Sequence, residues 1–254
     1  GSDSSGGAGV QADLKTFSAL GTYGMSCISA LTAQNTQGVD KVENVSQAMI
    51  RGQLAAIYSD IVPDAVKTGM LSCRETVETV AGFLESHNQA PLVVDPVMVA
   101  TTGARLLDEE AIISYKERLI PLATLVTPNI PEAEVLSGMA IHTEEDMKQA
   151  AEKIMGMGPK AVLIKGGHKV HDATDFLYDG ETFHVFRGEK IDTDNTHGTG
   201  CTLSSALAVY LAQGYSVVRA AALAKKYLTN SMLSAHMKQF RNYYQQLFEP
   251  LATH

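Results

Sequence analysis

The chain has 254 residues, of which 45% are apolar, and its formal net charge is −8. This length allows a sizeable core in one α/β domain, and the acidic balance argues against general nucleic-acid binding, which needs a basic surface. Cys27, Cys73 and Cys201 are widely spaced and lack metal-site clustering, and neither a run of about 18 apolar residues nor a secretory leader occurs. We therefore expect a cytoplasmic protein that acts on small molecules away from membranes.

The first half of the chain alternates predicted helices and strands. Apolar residues at helical spacing predict the helices, and short apolar runs predict the strands. In chain order the predicted elements are a helix over 10–20, a buried strand over 25–31, a helix over 46–58, a strand and turn over 64–69, a helix over 75–86, a strand over 91–95, a helix over 108–120 and a strand over 124–126.

The second half continues this alternation and then changes. A helix is expected to open at Thr143, with Asp146 three residues later as in a capping box, and a strand follows over 160–164. An Asp179-Gly180 turn between 176–178 and 182–186 predicts a hairpin, and hence an antiparallel edge. The remaining segments are a helix over 199–213, a helix over 216–234, and a helically spaced apolar tail over 236–249 that either packs on the domain or contacts another subunit.

Strands alternating with helices predict a three-layer α/β/α sandwich, whose central sheet is mostly parallel and carries the antiparallel hairpin at one edge. We expect a single domain over 1–254. Ligands bind at the carboxyl ends of the strands in such sheets. Polar and glycine-containing turns follow the predicted strands and should meet at that edge, at 34–38, 67–70, 95–103, 127–132 and 165–168.

The most informative segment is the turn over 195–202, which leads into the predicted helix at 199. Gly198 and Gly200 let backbone N–H groups point at an anion at the helix N-terminus, where the helix dipole also favours negative charge. A transferring phosphoryl group is such an anion. The alternative is that the two glycines only form a tight loop. The chain has no Walker phosphate-binding loop, protein-kinase signature or dinucleotide fingerprint.

Four side chains are candidates for chemistry, each with a structural alternative. Cys201 in the first turn should have a lowered thiol pKa and act as nucleophile or proton acceptor, or it is a buried structural cysteine. His197 is a general base or a turn residue bonded to the backbone. Asp95 and Glu132 are candidate Mg²⁺ ligands, or an exposed loop acid and a helix cap.

Eight segments carry a family resemblance in their order along the chain. They are GSDSSGGAG (1–9), QADLKT (11–16), ALTAQNT (30–36), KTGM (67–70), DPVM (95–98), TPNIPEA (127–133), KGGH (165–168) and NTHGTGCT (195–202). Together they resemble the hydroxymethylpyrimidine/phosphomethylpyrimidine kinases of thiamine biosynthesis, which have a ribokinase-like fold. The resemblance implies an ATP- and Mg²⁺-dependent homodimer that phosphorylates 4-amino-5-hydroxymethyl-2-methylpyrimidine and then its monophosphate at one site.

The resemblance also implies roles for individual residues. Gln34 would hydrogen-bond to the aminopyrimidine. The other residues that line its pocket would be Asp13, Ala8, Met70 and Val97. Charge in transfer would be stabilised by amides of Gly198, Thr199, Gly200 and Cys201, with Cys201 as the proton acceptor. The nucleotide would contact Lys165, Asn129 and Thr199, and the metal would be held by Glu132 and Asp95.

The sequence leaves two alternatives to this activity, pyridoxal phosphorylation and ligand binding without catalysis. Related kinases phosphorylate pyridoxal, but those that trap the aldehyde use a second cysteine after the D-P-V-M motif, and 99–103 contains none. A non-catalytic ligand-binding remnant is the other alternative. The family's first strand and C-terminal motif are missing, with a different sequence at 236–244, and we expect that residues upstream of Gly1 have been removed.

Overall fold

The computed structural model describes residues 1–98, 107, 109–166, 174–188 and 196–237. Its helices are α1 Gly9–Ala19, α2 Gln47–Tyr58, α3 Arg74–His87, α4 Glu109–Ser114, α5 Ile130–Ser137, α6 Glu144–Met155, α7 Thr199–Ala212 and α8 Val217–Met237. Its strands are β1 Ala30–Gln34, β2 Val39–Asn44, β3 Val66–Thr68, β4 Leu92–Val94, β5 Leu125–Val126, β6 Val162–Ile164, β7 Asp175–Tyr178 and β8 Phe183–Phe186. None of the helices in these ranges combines the length and apolar character needed to cross a bilayer.

The main sheet has six strands in the order β3-β4-β5-β6-β7-β8. The first four are parallel, and β7 and β8 form an antiparallel hairpin at the edge. Consecutive parallel strands joined by right-handed crossovers keep their connecting helices on one face. The predicted mostly parallel sheet with an antiparallel hairpin is therefore confirmed.

Two hydrophobic clusters cover the two faces of this sheet. Helices α2 to α6 pack on one face, and α7 and α8 pack on the other, with α1 lying against α7. Alternate strand residues serve the two faces, since Val94 belongs to the first cluster and Val93 to the second. The arrangement is the predicted three-layer sandwich.

The predicted buried strand over 25–31 is wrong. The strand begins at Ala30, pairs with β2 in a separate two-stranded antiparallel sheet, and leaves Leu31 54% exposed. Upstream, the backbone N–H of Ile28 donates to Gln53 Oε1 at 2.9 Å, and Gln53 Nε2 donates to the carbonyl of Ile28 at 3.1 Å. A side chain from α2 thus satisfies backbone groups that a strand would have paired.

Helix α5 begins within the turn predicted over 127–132 and continues into a segment for which the sequence predicted no element. Asn129 caps it by accepting from Glu132 N at 2.9 Å, and Glu132 Oε2 returns the contact by accepting from Asn129 N at 2.8 Å. The equivalent box at Thr143 opens α6 as predicted. The predicted helix over 108–120 is confirmed only as α4, which gives way to a π-helical turn at Tyr115–Leu119 and a 3-10 turn at Ile120–Leu122.

Some predicted features fall outside the described residues. These are the segment 99–103, the end of the KGGH segment at 167–168, Asn195 of the glycine turn, and the tail over 238–249. Residues 236 and 237 close helix α8.

Candidate active site

The glycine turn meets the sheet edge through the N-terminus of helix α7. The helix begins at Thr199, as predicted, after Gly198 adopts a left-handed conformation with φ +78°. A Cβ at Gly198 would overlap the carbonyl oxygen of Gly7, so only glycine fits there. Thr199 Oγ1 donates to the carbonyl of Thr196 at 2.9 Å. The amide of Thr199 donates to the carbonyl of Thr196 at 3.3 Å, and the amides of Gly200 and Cys201, which have no intrahelical acceptor, can bind an anion.

His197 joins this turn to the N-terminal turn of the chain. Its Nε2 lies 2.9 Å from Asp3 Oδ2, which also accepts from Gly7 N at 3.1 Å and Ala8 N at 2.7 Å. Burial disfavours the charge on Asp3, but the hydrogen bonds from His197 and Ala8 outweigh it and hold the pKa of Asp3 below its ordinary value. His197 is therefore a turn residue, and its partner is a carboxylate rather than the expected backbone group.

Asp95 lies just past the end of β4 and is buried, with 1% of its surface exposed. Its Oδ1 accepts from Lys165 Nζ at 2.9 Å and Thr127 Oγ1 at 3.2 Å, and its Oδ2 accepts from Ser204 Oγ at 3.1 Å. Burial opposes ionisation, but the ammonium group of Lys165 holds the pKa of Asp95 below its ordinary value. The alternative of an exposed loop acid is thereby excluded.

Glu132 is both a helix cap and a buried carboxyl group. Burial is the largest effect on it, and with the nearby charge of Asp95 it raises the pKa of Glu132 to about 7, against the attraction of Lys165. A Cβ at Gly200 would lie 3.6 Å from Lys165 Nζ, which brings the first turn of α7 onto the Asp95 and Lys165 pair.

The thiol of Cys201 departs from the sequence prediction. Desolvation of the half-buried thiol, with the Asp13 and Asp95 carboxylates, raises the pKa of Cys201 above its ordinary value, although the ammonium group of Lys67 opposes this shift. The predicted lowering is wrong because exclusion of solvent from the thiol outweighs the groups that favour its thiolate. The surroundings of Cys201 therefore favour the thiol form over the thiolate.

The side chains beneath Cys201 form a buried ion pair that the sequence did not single out. Lys67 Nζ lies 2.8 Å from Asp13 Oδ1, and the same oxygen accepts from Ser205 Oγ at 2.7 Å. Ser204 and Ser205 lie in a helix that reads as apolar, so nothing in the hydrophobic pattern marks them as site residues. Lys67 belongs to the KTGM segment, but no role was predicted for it.

All the predicted site residues line one cavity of about 890 Å³, within the range of small-molecule sites. Gln34 is one of its lining residues, and Gln34 Oε1 accepts from Thr32 Oγ1 at 3.2 Å. The structure thus brings together the predicted substrate, nucleotide, metal and catalytic residues, which are Ala8, Asp13, Gln34, Met70, Asp95, Val97, Asn129, Glu132, Lys165, Gly198, Thr199, Gly200 and Cys201.

The predicted metal carboxylates already accept bonds from the protein. Asp95 has three donors, and Glu132 accepts from Asn129 N and from the backbone of Met98. Among the described residues, no group of three or more His, Cys, Asp or Glu side chains is arranged around a metal position. This donor set fits Mg²⁺, which keeps several waters and uses one or two carboxylates with phosphate oxygens.

The sequence matches known proteins along most of its length. The family model described as phosphomethylpyrimidine kinase matches residues 3–244. The hydroxymethylpyrimidine/phosphomethylpyrimidine kinase of Rhizobium meliloti is 51% identical over 92% of this chain and 89% of its own. The thiamine biosynthesis bifunctional protein ThiED of Geobacter sulfurreducens is 54% identical over 90% of this chain, which spans 47% of that longer protein.

Solved structures give the same result. The phosphomethylpyrimidine kinase of Clostridium difficile superposes with a TM-score of 0.82 at 50% identity, over 91% of this chain and 96% of its own. An ADP complex of Bacillus subtilis pyridoxal kinase superposes with a TM-score of 0.83 at 42% identity, over 90% and 87%. The predicted ribokinase-like fold and kinase activity are confirmed, and the chain belongs to the phosphomethylpyrimidine kinase family.

Proposed function

We propose that this chain transfers the γ-phosphoryl group of ATP to the hydroxymethyl oxygen of 4-amino-5-hydroxymethyl-2-methylpyrimidine, and then a second phosphoryl group to the monophosphate. The observation that carries this proposal is the convergence of the first turn of α7 with the Asp95 and Lys165 pair on the cavity that Gln34 also lines. Phosphoryl transfer needs positioning and charge stabilisation more than covalent chemistry, and this arrangement can supply both.

The acceptor end of the cavity offers groups suited to an aminopyrimidine. Gln34 carries a carboxamide that can both donate and accept, and Asp13 contributes a carboxylate to the lining of the same cavity. Ala8, Met70 and Val97 supply apolar surface for the ring. A ring held between these groups would present its hydroxymethyl oxygen to the first turn of α7.

The phosphate end is built from the turn that ends in Cys201. Amides of Thr199, Gly200 and Cys201 would face the transferring group and stabilise its charge, while Lys165 would contact the nucleotide phosphates. Asn129 would contact the nucleotide beside Lys165, since the two form a parallel bridge between their strand ends. Cys201 would take the hydroxyl proton, after it has lost its own proton to solvent.

Mg²⁺ would supply neutralisation of the phosphate charge. Because the oxygens of Asp95 and Glu132 already accept protein hydrogen bonds, we propose that the two carboxylates hold the ion mainly through its water molecules. The raised pKa of Glu132 reports a carboxyl group lacking a full counter-charge, which a nearby cation would provide.

The assembly and location of the chain are also proposals. We propose a homodimer, supported by strand β2, whose outer residues are exposed and whose open edge can pair. We propose a cytoplasmic protein, supported by the free thiols of Cys27, Cys73 and Cys201. Analytical ultracentrifugation tests the first proposal, since a single species at the monomer mass of 27.2 kDa at micromolar concentration would contradict it.

The activity is tested by measuring ATP- and Mg²⁺-dependent phosphorylation of the pyrimidine, its monophosphate and pyridoxal side by side. We expect turnover of both pyrimidines, and its collapse in Cys201→Ala. Cys73→Ser is the matched control, because Cys73 lies outside the cavity at the N-terminus of α3, where serine also caps well. Unchanged turnover in Cys201→Ala would remove the thiol from the mechanism.

Pyridoxal phosphorylation is the second candidate, favoured by the likeness to Bacillus subtilis pyridoxal kinase. The same assay decides between them, because higher kcat/KM for pyridoxal than for the pyrimidine would make it the main activity. Binding of the pyrimidine without any turnover would instead favour the non-catalytic alternative.

A further inference from the structure

Lys67 has no assigned role, yet it is among the most deeply buried charged groups beside the site. It lies in strand β3 with 3% of its side chain exposed, and its ammonium group pairs with Asp13. Burial of an ammonium group is costly unless a partner offsets it. Burial alone would lower the pKa of Lys67, but the Asp13 carboxylate outweighs it and raises that pKa above its ordinary value.

Three elements meet around Cys201 and this pair. Ser205 lies four residues after Cys201, on the same face of α7, and it donates to the Asp13 oxygen that also contacts Lys67. The backbone amide of Gly9, at the start of α1, hydrogen-bonds to Cys201. The thiol is therefore fixed relative to the ion pair by α1, α7 and β3 together.

The charges around the thiol act in opposite directions. The side chains that face it are the ammonium groups of Lys67 and Lys165 and the carboxylates of Asp13 and Asp95. Ser205, one helical turn after Cys201, contacts the Asp13 and Lys67 pair through Asp13 Oδ1, so both charges lie near the thiol: the ammonium group of Lys67 favours the thiolate and the carboxylate of Asp13 disfavours it. The two partners of one ion pair thus have opposite effects on the same sulfur.

We propose that Lys67 is a positioning residue that favours the thiolate of Cys201 electrostatically, and that Asp13 limits this effect as its ion-pair partner. This rests on the proposed function, in which the hydroxyl oxygen of the substrate forms a bond to the γ-phosphorus while the bond from that phosphorus to the leaving ADP oxygen breaks. The hydroxyl proton passes to the Cys201 thiolate. Lys67 keeps its own proton throughout and touches no reacting atom.

The proposal is tested on the full chain by the pH dependence of Cys201 alkylation with iodoacetamide, read by mass spectrometry of the Cys201 peptide. Thiolate, not thiol, reacts, so the rate follows the ionised fraction. We expect Lys67→Met to move the midpoint to higher pH and Asp13→Asn to move it to lower pH, each by about one unit, a tenfold change in thiolate. A purely structural role would move both midpoints the same way.

Two further variants guard against misfolding. Ser205→Ala removes a neutral hydrogen bond to the same Asp13 oxygen without changing charge, and its midpoint should move far less. The double variant Lys67→Met with Asp13→Asn removes both members of the pair, leaves no unpaired buried charge, and should return the midpoint close to that of the starting protein. The proposal is wrong if Asp13→Asn leaves the midpoint unchanged or raises it, or if the double variant does not return it.

Turnover measured on the same variants separates this inference from the proposed function. Opposite midpoint shifts together with full turnover in Cys201→Ala would support the electrostatic role and exclude the thiol as proton acceptor. Loss of turnover in Cys201→Ala with unshifted midpoints would overturn the role of Lys67 and leave the proposed function standing.

Discussion

At the scale of single residues, the ionisation of Glu132 leads to a prediction about how stability depends on pH. Burial raises its pKa to about 7 from an ordinary value of 4.5, so between these pH values the folded protein binds more protons than the unfolded chain. The contribution of Glu132 to the free energy of unfolding therefore falls as the pH rises across that window.

Glu132→Gln should remove this pH dependence. Glutamine at this position keeps the capping box with Asn129 but carries no charge, so the variant should lose less stability than the wild type between pH 4.5 and about 7. Urea unfolding at a series of pH values, with chelator to remove divalent ions, measures it. Glu145→Gln, on an exposed side chain of α6, is the control and should follow the wild type. Parallel curves for Glu132→Gln and the wild type would contradict the assignment.

The contact between His197 and Asp3 provides a second residue-scale prediction. His197→Ala leaves a buried carboxylate with one donor fewer, which should lower the free energy of unfolding by about 1–3 kcal/mol. It should also lower kcat, because the first turn of α7 loses its tie to the N-terminal turn. Urea unfolding and steady-state kinetics check the two effects.

The chain contains a matched control for that variant. His184 Nε2 lies 2.7 Å from Asp179 Oδ2 in the half-exposed hairpin turn between β7 and β8, away from the cavity. His184→Ala removes the same kind of pair where solvent screens it, so it should cost under about 1 kcal/mol and leave kcat unchanged. An equal loss of kcat in both variants would show that His197 does not act through the turn.

At the scale of elements, the N-terminus of α7 depends on a single glycine. Gly198→Ala places a side chain in a left-handed conformation, which costs roughly 1–2 kcal/mol, and pushes it into the Gly7 carbonyl, which adds ~1–3 kcal/mol. Displacing the first turn should also lower kcat by about a hundredfold. Thermal unfolding and kinetics measure both.

Gly214, just after α7, separates the two costs. Its φ is +83°, close to that of Gly198, but a Cβ there would have nothing within 4 Å. Gly214→Ala should therefore show only the conformational cost and no loss of kcat. If the two variants behave alike, the contact with Gly7 has no functional weight.

Hydrophobic pattern predicted most of the main sheet but failed where backbone groups found other partners. The strands β3 to β6 and the hairpin followed from apolar runs and an Asp-Gly turn. The run over 25–29 failed because Gln53 replaced the strand partner of Ile28. Strand β2 was missed because Asp40, Lys41 and Glu43 give it a polar, exposed surface, and α5 because its opening Asn-Ile-Pro resembles a loop.

The site followed a similar division. Linked motifs along the chain were enough to predict the residues that line the cavity, but not the side chains beneath them. Ser204 and Ser205 point from an otherwise apolar helix, and their partners Asp95 and Asp13 are distant in sequence. The pKa shift of the Cys201 thiol was predicted in the wrong direction. The position of Cys201 in a helix can be derived from the sequence, whereas solvent exclusion and neighbouring carboxylates cannot.

At the scale of the whole molecule, the two hydrophobic clusters share the same strands. Phe176 belongs to the cluster beneath α2 to α6, whereas its neighbour Leu177 belongs to the cluster beneath α7 and α8. We therefore propose a single domain in which neither layer is stable without the other. Two separate unfolding transitions would be expected only if the two clusters were built on different strands.

Phe176→Ala and Leu177→Ala test this coupling. Each should lower the free energy of unfolding, by about 3–5 and 2–5 kcal/mol, while calorimetry still shows one transition. Val185→Ala, on a strand residue that is 41% exposed, should cost far less. A split transition in either core variant would show that the two layers unfold independently.

The carboxylate of Asp95 has a consequence for how such an enzyme can change over evolutionary time. Its three donors come from three places in the chain, which are Thr127 after β5, Lys165 after β6 and Ser204 in α7. Replacing any one of them leaves a buried charge less well compensated, so a tolerated substitution at one position must be accompanied by changes at the others. Substitutions that alter acceptor preference should therefore accumulate around Gln34 and Met70. Asp95 and its three donors should be conserved together.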